Sequence, residues 1–300
     1  MMNALPPPGE LIYVNGRKVH IQRYGKGSPV VIFDSGFFND SFTFGYVQPQ
    51  IANLTCTISY DRAGMGYSEP SPTPERNSKV LASELYELIE TLGLRDPIVF
   101  AGWSAGGIYI REFARQHPDR VAGMILIDSA SECQKSRYPE DITFVYQKNW
   151  DELIGLISRL SNKTHEEIIR ELIDSPPWVN NHPETHKYHK DLARPELLKY
   201  YLKLDSFLDE DTNQNINVMD TLGDFPLAVI YRSKINNPNM NEYQRKIAME
   251  IYHEIQSELA QFSTYNWHIK ADCGHDIANE KPEVVIEAIK DVVKQVRRSN

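Results

Sequence analysis

The stretch that decides the fold is GWSAGG, residues 102–107, in which Ser104 stands between two glycines. The apolar run PIVFA precedes it and the segment IYIREFARQHP follows it, which indicates a strand, a sharp turn and a helix. A serine at the tip of such a turn is a nucleophile elbow, because flanking glycines leave room for its strained backbone. We therefore predict that Ser104 is a nucleophile and that the Ala105 N–H, at the helix N-terminus, stabilises developing negative charge. The alternative is a glycine-rich turn with no chemical role.

The sequence on either side of the elbow alternates between strands and helices. A hairpin at Asn15-Gly16 is followed by strand patterns in PVVIFDSG, CTISYDRAGMGYS, PIVFAG and VAGMILID. Apolar residues at helical spacing from Ser78 to Leu92 predict a helix among them. The alternation resumes with FPLAVIYR, a helix around YQRKIAMEIYHEIQSELA, the strand YNWHIKA and a last helix. This order predicts an α/β fold: a mostly parallel eight-stranded sheet with helices on both faces.

Residues 131–224 interrupt this alternation. They contain helical pieces such as DELIGLISRL, HEEIIRELI and PELLKYYLKL, separated by turns rich in proline and asparagine. We predict that they form a helical lid inserted into a core made of residues 1–130 and 225–300. Lid aromatics such as Trp150 and Tyr201 are interpreted mainly as packing within this lid.

Composition and charge exclude several classes of protein. The chain has 300 residues and a net charge of −9, without a basic stripe that would bind nucleic acid. Three cysteines suit neither a disulfide framework nor a zinc site. We expect no metal and no cofactor, because the chemistry predicted for Ser104 needs neither. The N-terminal residues do not resemble a secretory signal, and no apolar run reaches membrane-spanning length. We expect a cytoplasmic protein whose oligomeric state stays open.

The general base is expected in the segment ADCGHDIANEKPEVV near the C-terminus. His275 lies there in a loop between the last strand and the last helix, where its imidazole can reach the carboxyl edge of the sheet. His268 is a competitor, but its position inside a strand pattern favours a packed wall residue. A loop histidine without a role is the remaining alternative.

The orienting carboxylate is the harder assignment, because it must come after the serine and stand at the C-terminal end of a strand. Asp128 ends the strand VAGMILID. The segment after the next strand, YRSKINNPN, contains no acid before Glu242, Asp224 precedes that strand, and Asp276 adjoins the histidine. These positions favour Asp128, with a turn or capping role as the alternative.

Taken together, DSGFF, YDRAGMGYS, GWSAG and CGHDIANEKPEVVIEAI resemble the motifs of the serine-dependent α/β-hydrolase fold family over nearly the whole chain. The segment LIDSAS is also similar to pancreatic-type lipases, which take their acid after this strand, and this supports Asp128. The resemblance implies that the Phe37 N–H is a second oxyanion donor. Relatives with an aspartate nucleophile, such as epoxide hydrolases, are disfavoured because residue 104 is a serine.

The function expected from these residues is hydrolysis of a small-molecule carboxylic ester through an acyl-enzyme intermediate. Alternatives are cleavage of an amide or carbon–carbon bond, acyl transfer to an alcohol, or a small-molecule receptor on the same fold. Phe38, Trp103 and Trp178 are candidate substrate-pocket residues. The histidines of HPETHKYH, at 182, 186 and 189, are interpreted as solvated lid surface and not as a metal site, because the Glu placement of HExxH is missing.

Overall fold

The computed structural model describes residues 6–72, 76–173, 186–212 and 221–299. The strands of this part of the chain are β1 (Glu10–Val14), β2 (Arg17–Tyr24), β3 (Val31–Asp34), β4 (Thr57–Tyr60), β5 (Ile98–Trp103), β6 (Val121–Ile127), β7 (Leu227–Arg232) and β8 (Asn266–Ala271). They form one eight-stranded sheet in the order β1-β2-β4-β3-β5-β6-β7-β8. The pairs β1–β2 and β2–β4 are antiparallel and the remaining pairs are parallel. The predicted mostly parallel sheet is confirmed.

The α-helices of the described residues are α1 (Gln48–Ile51), α2 (Ser78–Thr91), α3 (Ala105–Gln116), α4 (Gln134–Arg137), α5 (Glu140–Leu160), α6 (His165–Ile168), α7 (His186–Leu192), α8 (Pro195–Thr212), α9 (Glu242–Ala260), α10 (Ile277–Glu280) and α11 (Pro282–Ser299). Short 3₁₀ helices lie at Ser41–Phe44 and Pro118–Arg120, and a π-helical turn at Ile169–Ile173 follows α6. None of the helices in the described ranges is long and apolar enough to cross a membrane.

Helices cover both faces of the sheet. Successive strand residues point to opposite sides, and since both sets of side chains are apolar, each face packs against helices. Ile32, Phe100 and Leu126 belong to one apolar cluster, which the helices α2, α3 and α9 complete. Their neighbours along the strands belong to a second cluster on the other face, with residues of α1 and α11. Parallel strands buried in this way read as continuous apolar runs, which is the pattern that the sequence shows.

The chain between β6 and β7 contributes the helices α4 to α8. A separate apolar cluster joins α5, α6 and α8 through Ile157, Ile168 and Leu198. Another cluster packs Ile142 and Val145 of α5 against α9 of the sheet domain. These helices fall within the lid predicted for residues 131–224, whose exact boundaries stay a prediction.

A buried ion pair fixes the loop after β6. Arg111 of α3 is 0% exposed and donates from Nη2 to Glu132 Oε2 at 2.7 Å and to the Ala130 carbonyl at 3.0 Å. Its Nη1 donates to Ser129 Oγ at 2.7 Å. Burial alone would raise the pKa of Glu132, but Arg111 and Arg115 outweigh it and the pKa is lowered. The carboxylate is therefore ionised at neutral pH and compensates the buried guanidinium.

Replacing Glu132 by glutamine is expected to lower the free energy of unfolding by about 3–5 kcal/mol, because it leaves the Arg111 charge buried without its partner. The control is Glu258→Gln, which removes a carboxylate whose pair with Arg137 is 35% and 33% exposed. This change is expected to cost less than about 1 kcal/mol. Urea unfolding followed by circular dichroism measures both, and equal small losses would contradict the prediction.

Candidate active site

Three side chains from distant parts of the sequence meet at the carboxyl edge of the sheet. Ser104 follows β5, Asp128 follows β6, and His275 lies in the loop between β8 and α10. His275 Nε2 is 3.1 Å from Ser104 Oγ. His275 Nδ1 forms a very short contact with Asp128 Oδ2. The structure thus brings together the three residues that the sequence analysis selected.

The turn at Ser104 leaves its hydroxyl available to the histidine. Ser104 has φ 55° and ψ −122°, and its side chain does not cap α3. The neighbouring glycines are required by close approaches: a Cβ at Gly102 would lie 2.7 Å from the Gly106 carbonyl oxygen, and a Cβ at Gly106 would lie 2.3 Å from the Asp34 carbonyl oxygen. Larger residues at either position would displace β3 or the start of the helix from the elbow.

Backbone strain is concentrated at this edge of the sheet. In the described ranges, the non-glycine residues with positive φ are Asn15, Phe38, Ser104 and Asp128. Asn15 belongs to the hairpin turn, where asparagine tolerates this conformation. The other three are the candidate nucleophile Ser104, the candidate acid Asp128 and Phe38 of the loop after β3, and strain of this kind is typical of functional sites.

Asp128 is 2% exposed and accepts hydrogen bonds at both oxygens. Its Oδ1 accepts from the Arg232 backbone N–H at 3.0 Å and from the Tyr252 hydroxyl. Its Oδ2 accepts from Arg232 Nη1 at 2.8 Å, in addition to its contact with His275. The carboxylate is therefore held by groups from β7, α9 and the loop after β8.

The charge state of this carboxylate follows from its neighbours. Burial alone would raise the pKa of Asp128, but the Arg232 charge and the hydrogen bonds of His275 and Tyr252 lower it overall. The pKa of Arg232 is raised despite its burial, because Asp128 lies beside it. Both groups are therefore charged at neutral pH, and Asp128 can stabilise an imidazolium at His275.

The loop after β3 lies over the nucleophile. A Cβ at Gly36 would be 3.2 Å from Ser104 Cβ, so Phe37, the next residue, starts beside the reacting oxygen. Arg62 holds this loop: its Nη1 donates to Asp34 Oδ1 at 2.5 Å and its Nη2 donates to the Gly36 carbonyl at 2.5 Å. The backbone amides of Phe37 and Ala105 stay the predicted oxyanion donors. Ala105 is the first residue of α3, where amides lack hydrogen-bond partners within the helix.

Two cavities are lined by residues of this region: His275 lines one and Phe37 lines the other, whereas Ser104 and Asp128 line neither. One, of about 670 Å³, is lined by His275, Arg232, Tyr146 and Leu153 among others. The other, of about 290 Å³, is lined mainly by aromatic and aliphatic side chains, among them Phe37, Phe38, Trp150, Leu153, Ala193 and Tyr201, with polar side chains such as Asp40 and His189. Leu153 contributes to both, so it separates them at their boundary.

The candidate pocket residues have different positions. Phe38 lines the smaller cavity, where its ring stacks on Trp150 and Tyr201 with centroids 5.8 and 4.8 Å away. Trp103 lines neither of these two cavities. It is 8% exposed beneath His275, and its Nε1 donates to the His275 carbonyl at 2.9 Å, so it positions the histidine loop. Trp178 lies outside the described residues.

Several contacts of the site were not found by sequence reasoning. Arg232 at a strand end and Tyr252 within a helix carry no local motif.

His268, predicted as a packed wall residue, is exposed on the edge strand β8 with its ring 4.2 Å from that of Tyr231. His189, predicted as solvated surface, has a side chain only 15% exposed and lies 3.9 Å from Asp40. Of the other two histidines of that group, His182 lies outside the described residues.

Comparisons with known proteins agree with this architecture. Residues 29–168 match the family model described as alpha/beta hydrolase fold. YugF of Bacillus subtilis (strain 168), described as an uncharacterized hydrolase, is 23% identical over 291 residues, which cover 94% of this chain and 96% of that protein. A pimeloyl-(acyl-carrier protein) methyl ester esterase of Legionella pneumophila (strain Corby) is 29% identical over 153 residues, 50% of this chain and 57% of that protein.

A solved structure of the epoxide hydrolase CorEH is similar with a TM-score of 0.67 and 20% identity, over 96% of this chain and 98% of that chain. At this identity the likeness concerns the fold alone. Together with the match to the family model over residues 29–168, it shows that the chain has the α/β-hydrolase fold.

Proposed function

We propose that the protein is a serine hydrolase that cleaves carboxylic esters. The observation that carries the proposal is the 3.1 Å separation of His275 Nε2 from Ser104 Oγ, with the other ring nitrogen on Asp128. A neutral imidazole oriented in this way accepts the serine proton as the hydroxyl attacks a carbonyl carbon. The similarity to a methyl ester esterase over half of the chain supports ester chemistry.

The reaction proceeds in two halves. Ser104 Oγ bonds to the ester carbonyl carbon while its proton passes to His275, and the amides of Ala105 and Phe37 receive the oxyanion. The carbon–oxygen bond to the alcohol then breaks, and His275 returns the proton to the leaving oxygen. In the second half His275 takes a proton from water, whose oxygen attacks the acyl carbon, and Ser104 leaves with that proton.

The two cavities suggest how an ester is oriented. His275 must protonate the leaving alcohol, so that group belongs in the cavity of about 670 Å³, which His275 itself lines. The acyl chain then lies on the side of Phe37 and Phe38, in the aromatic cavity of about 290 Å³. This size is at the lower end of the roughly 300–1,000 Å³ typical of ligand pockets and favours acyl chains of short to medium length.

Replacing Ser104 by alanine is expected to lower kcat on p-nitrophenyl esters by about 10⁴-fold or more and to abolish fluorophosphonate labelling, because the nucleophile is lost. Turnover on a panel of acyl lengths and mass spectrometry of the labelled peptide measure these effects. A wild-type protein with neither turnover nor labelling would favour a receptor. If the wild-type protein is labelled but turns over amides, cleaves carbon–carbon bonds or transfers acyl groups faster than it hydrolyses esters, that activity would replace the ester assignment.

Replacing Asp128 by asparagine is expected to lower kcat by about 10⁴-fold, because the amide cannot stabilise the imidazolium and favours the wrong tautomer. The matched control is Asp276→Asn, next to the histidine in sequence, whose carboxylate accepts from Asn279 Nδ2 at 2.7 Å. This control is expected to change kcat by no more than about twofold. The reverse ranking of the two variants would move the acid to Asp276.

Replacing Ala193 by leucine is expected to narrow the aromatic cavity and shift the preference towards shorter acyl chains. Ala193 lines this cavity and is 4% exposed. Overpacking costs about 1–3 kcal/mol, so kcat/KM on the octanoyl ester should fall at least about fivefold relative to the acetyl ester. The acetyl ester and the melting temperature serve as internal controls, and a parallel loss on both esters would show that the cavity does not hold the acyl chain.

A further inference from the structure

The guanidinium of Arg232 contacts both the candidate acid and the candidate base. Its Nη1 is 2.8 Å from Asp128 Oδ2 and 3.2 Å from His275 Nδ1. Both nitrogens carry protons when the imidazole is oriented for catalysis, and both protons point to the same carboxylate oxygen. Arg232 and His275 therefore share Asp128 Oδ2 and are not hydrogen-bonded to each other.

The position of Arg232 is fixed independently of any substrate. Its backbone N–H donates to Asp128 Oδ1 at 3.0 Å, and its guanidinium carbon lies 4.4 Å from the centre of the Tyr252 ring. The side chain is 12% exposed. A positive charge thus lies permanently beside the imidazole.

We propose that Arg232 is a positioning residue that sets the pH at which His275 becomes able to accept the Ser104 proton. This proposal rests on the proposed serine-hydrolase function. A carboxylate alone would favour the imidazolium strongly, whereas the Arg232 cation opposes it. Arg232 thereby keeps His275 unprotonated, and available as a base, at lower pH than Asp128 alone would allow.

Other ionisable groups lie around the histidine loop or line the cavity that His275 lines. They come from that loop, α10, α5 and the segment after β7, and they are Asp276, Glu280, Glu152, Tyr146 and Lys234. Lys234 Nζ is bonded to Asp272 Oδ1 at 2.9 Å. In the described part of the chain, Arg232 is therefore the cation in direct contact with both Asp128 and His275.

The test measures the rate of fluorophosphonate labelling at Ser104 against pH, which needs no knowledge of the natural substrate. In Arg232→Gln, and in Arg232→Met as a second neutral variant, the acid limb of the profile should move up by about one pH unit. The expected change is at the low end of the roughly 1–3 pH units that an adjacent charge can cause, because the His275 side chain is 45% exposed and solvent screens the charge. Arg232→Lys keeps the charge and should leave the limb within about 0.3 units of the wild type.

The matched control is Arg137→Gln. This change removes a cation that pairs with Glu254 and Glu258, and both glutamates lie on α9, the helix that carries Tyr252. It should leave the limb in place, and thermal melts verify that each variant is folded. A lower labelling rate at every pH without a moved limb would indicate a structural role and overturn the proposal. So would an equal shift in the lysine variant, or a failure of both neutral variants to fold. A moved limb in a protein that hydrolyses no ester would retain the role of Arg232 and reject the ester assignment.

Discussion

The candidate site depends on one buried carboxylate. Removing an ionised carboxylate from water costs several kcal/mol unless opposite charge and hydrogen bonds replace the lost hydration. Asp128 obtains that replacement from Arg232, Tyr252 and His275, which belong to β7, α9 and the loop after β8. Three elements that follow the elbow in sequence are thereby attached to the strand beside it. The same contacts that make burial of the charge tolerable also orient the imidazole towards Ser104.

Two other buried arginines hold the loops on either side of this carboxylate. Arg62 donates to Asp34 and to the Gly36 carbonyl, so the loop carrying Phe37 keeps its place over the nucleophile. Arg111 donates to Ser129 and Glu132, so the chain leaving Asp128 is fixed from the elbow helix. Bidentate guanidinium groups suit this task because they connect several acceptors in one plane. Arg62 therefore holds the loop that faces the strained residue Ser104, and Arg111 holds the segment that follows the strained residue Asp128.

The mostly parallel sheet and the meeting of Ser104 with His275 could be predicted because each strand carries a local apolar pattern and parallel strands share one carboxyl edge. Arg232 and Tyr252 could not, since neither lies in a local motif that would connect it with Asp128, which is 104 and 124 residues away in sequence. Trp103 shows a further limit. It was predicted to line the substrate pocket, but a residue that ends a central strand also packs inward, and it lies beneath His275.

The stacking of Phe38 between Trp150 and Tyr201 has a consequence for the predicted oxyanion donor. Phe38 is covalently attached to Phe37, whose amide is a candidate oxyanion donor, while its two ring partners belong to α5 and α8. The position of that amide therefore depends on the packing of these two helices as well as on Arg62. Because Phe38 belongs both to the cavity wall and to the loop that carries the donor, a change of shape at Trp150 or Tyr201 would alter the donor's position together with the space for the acyl chain.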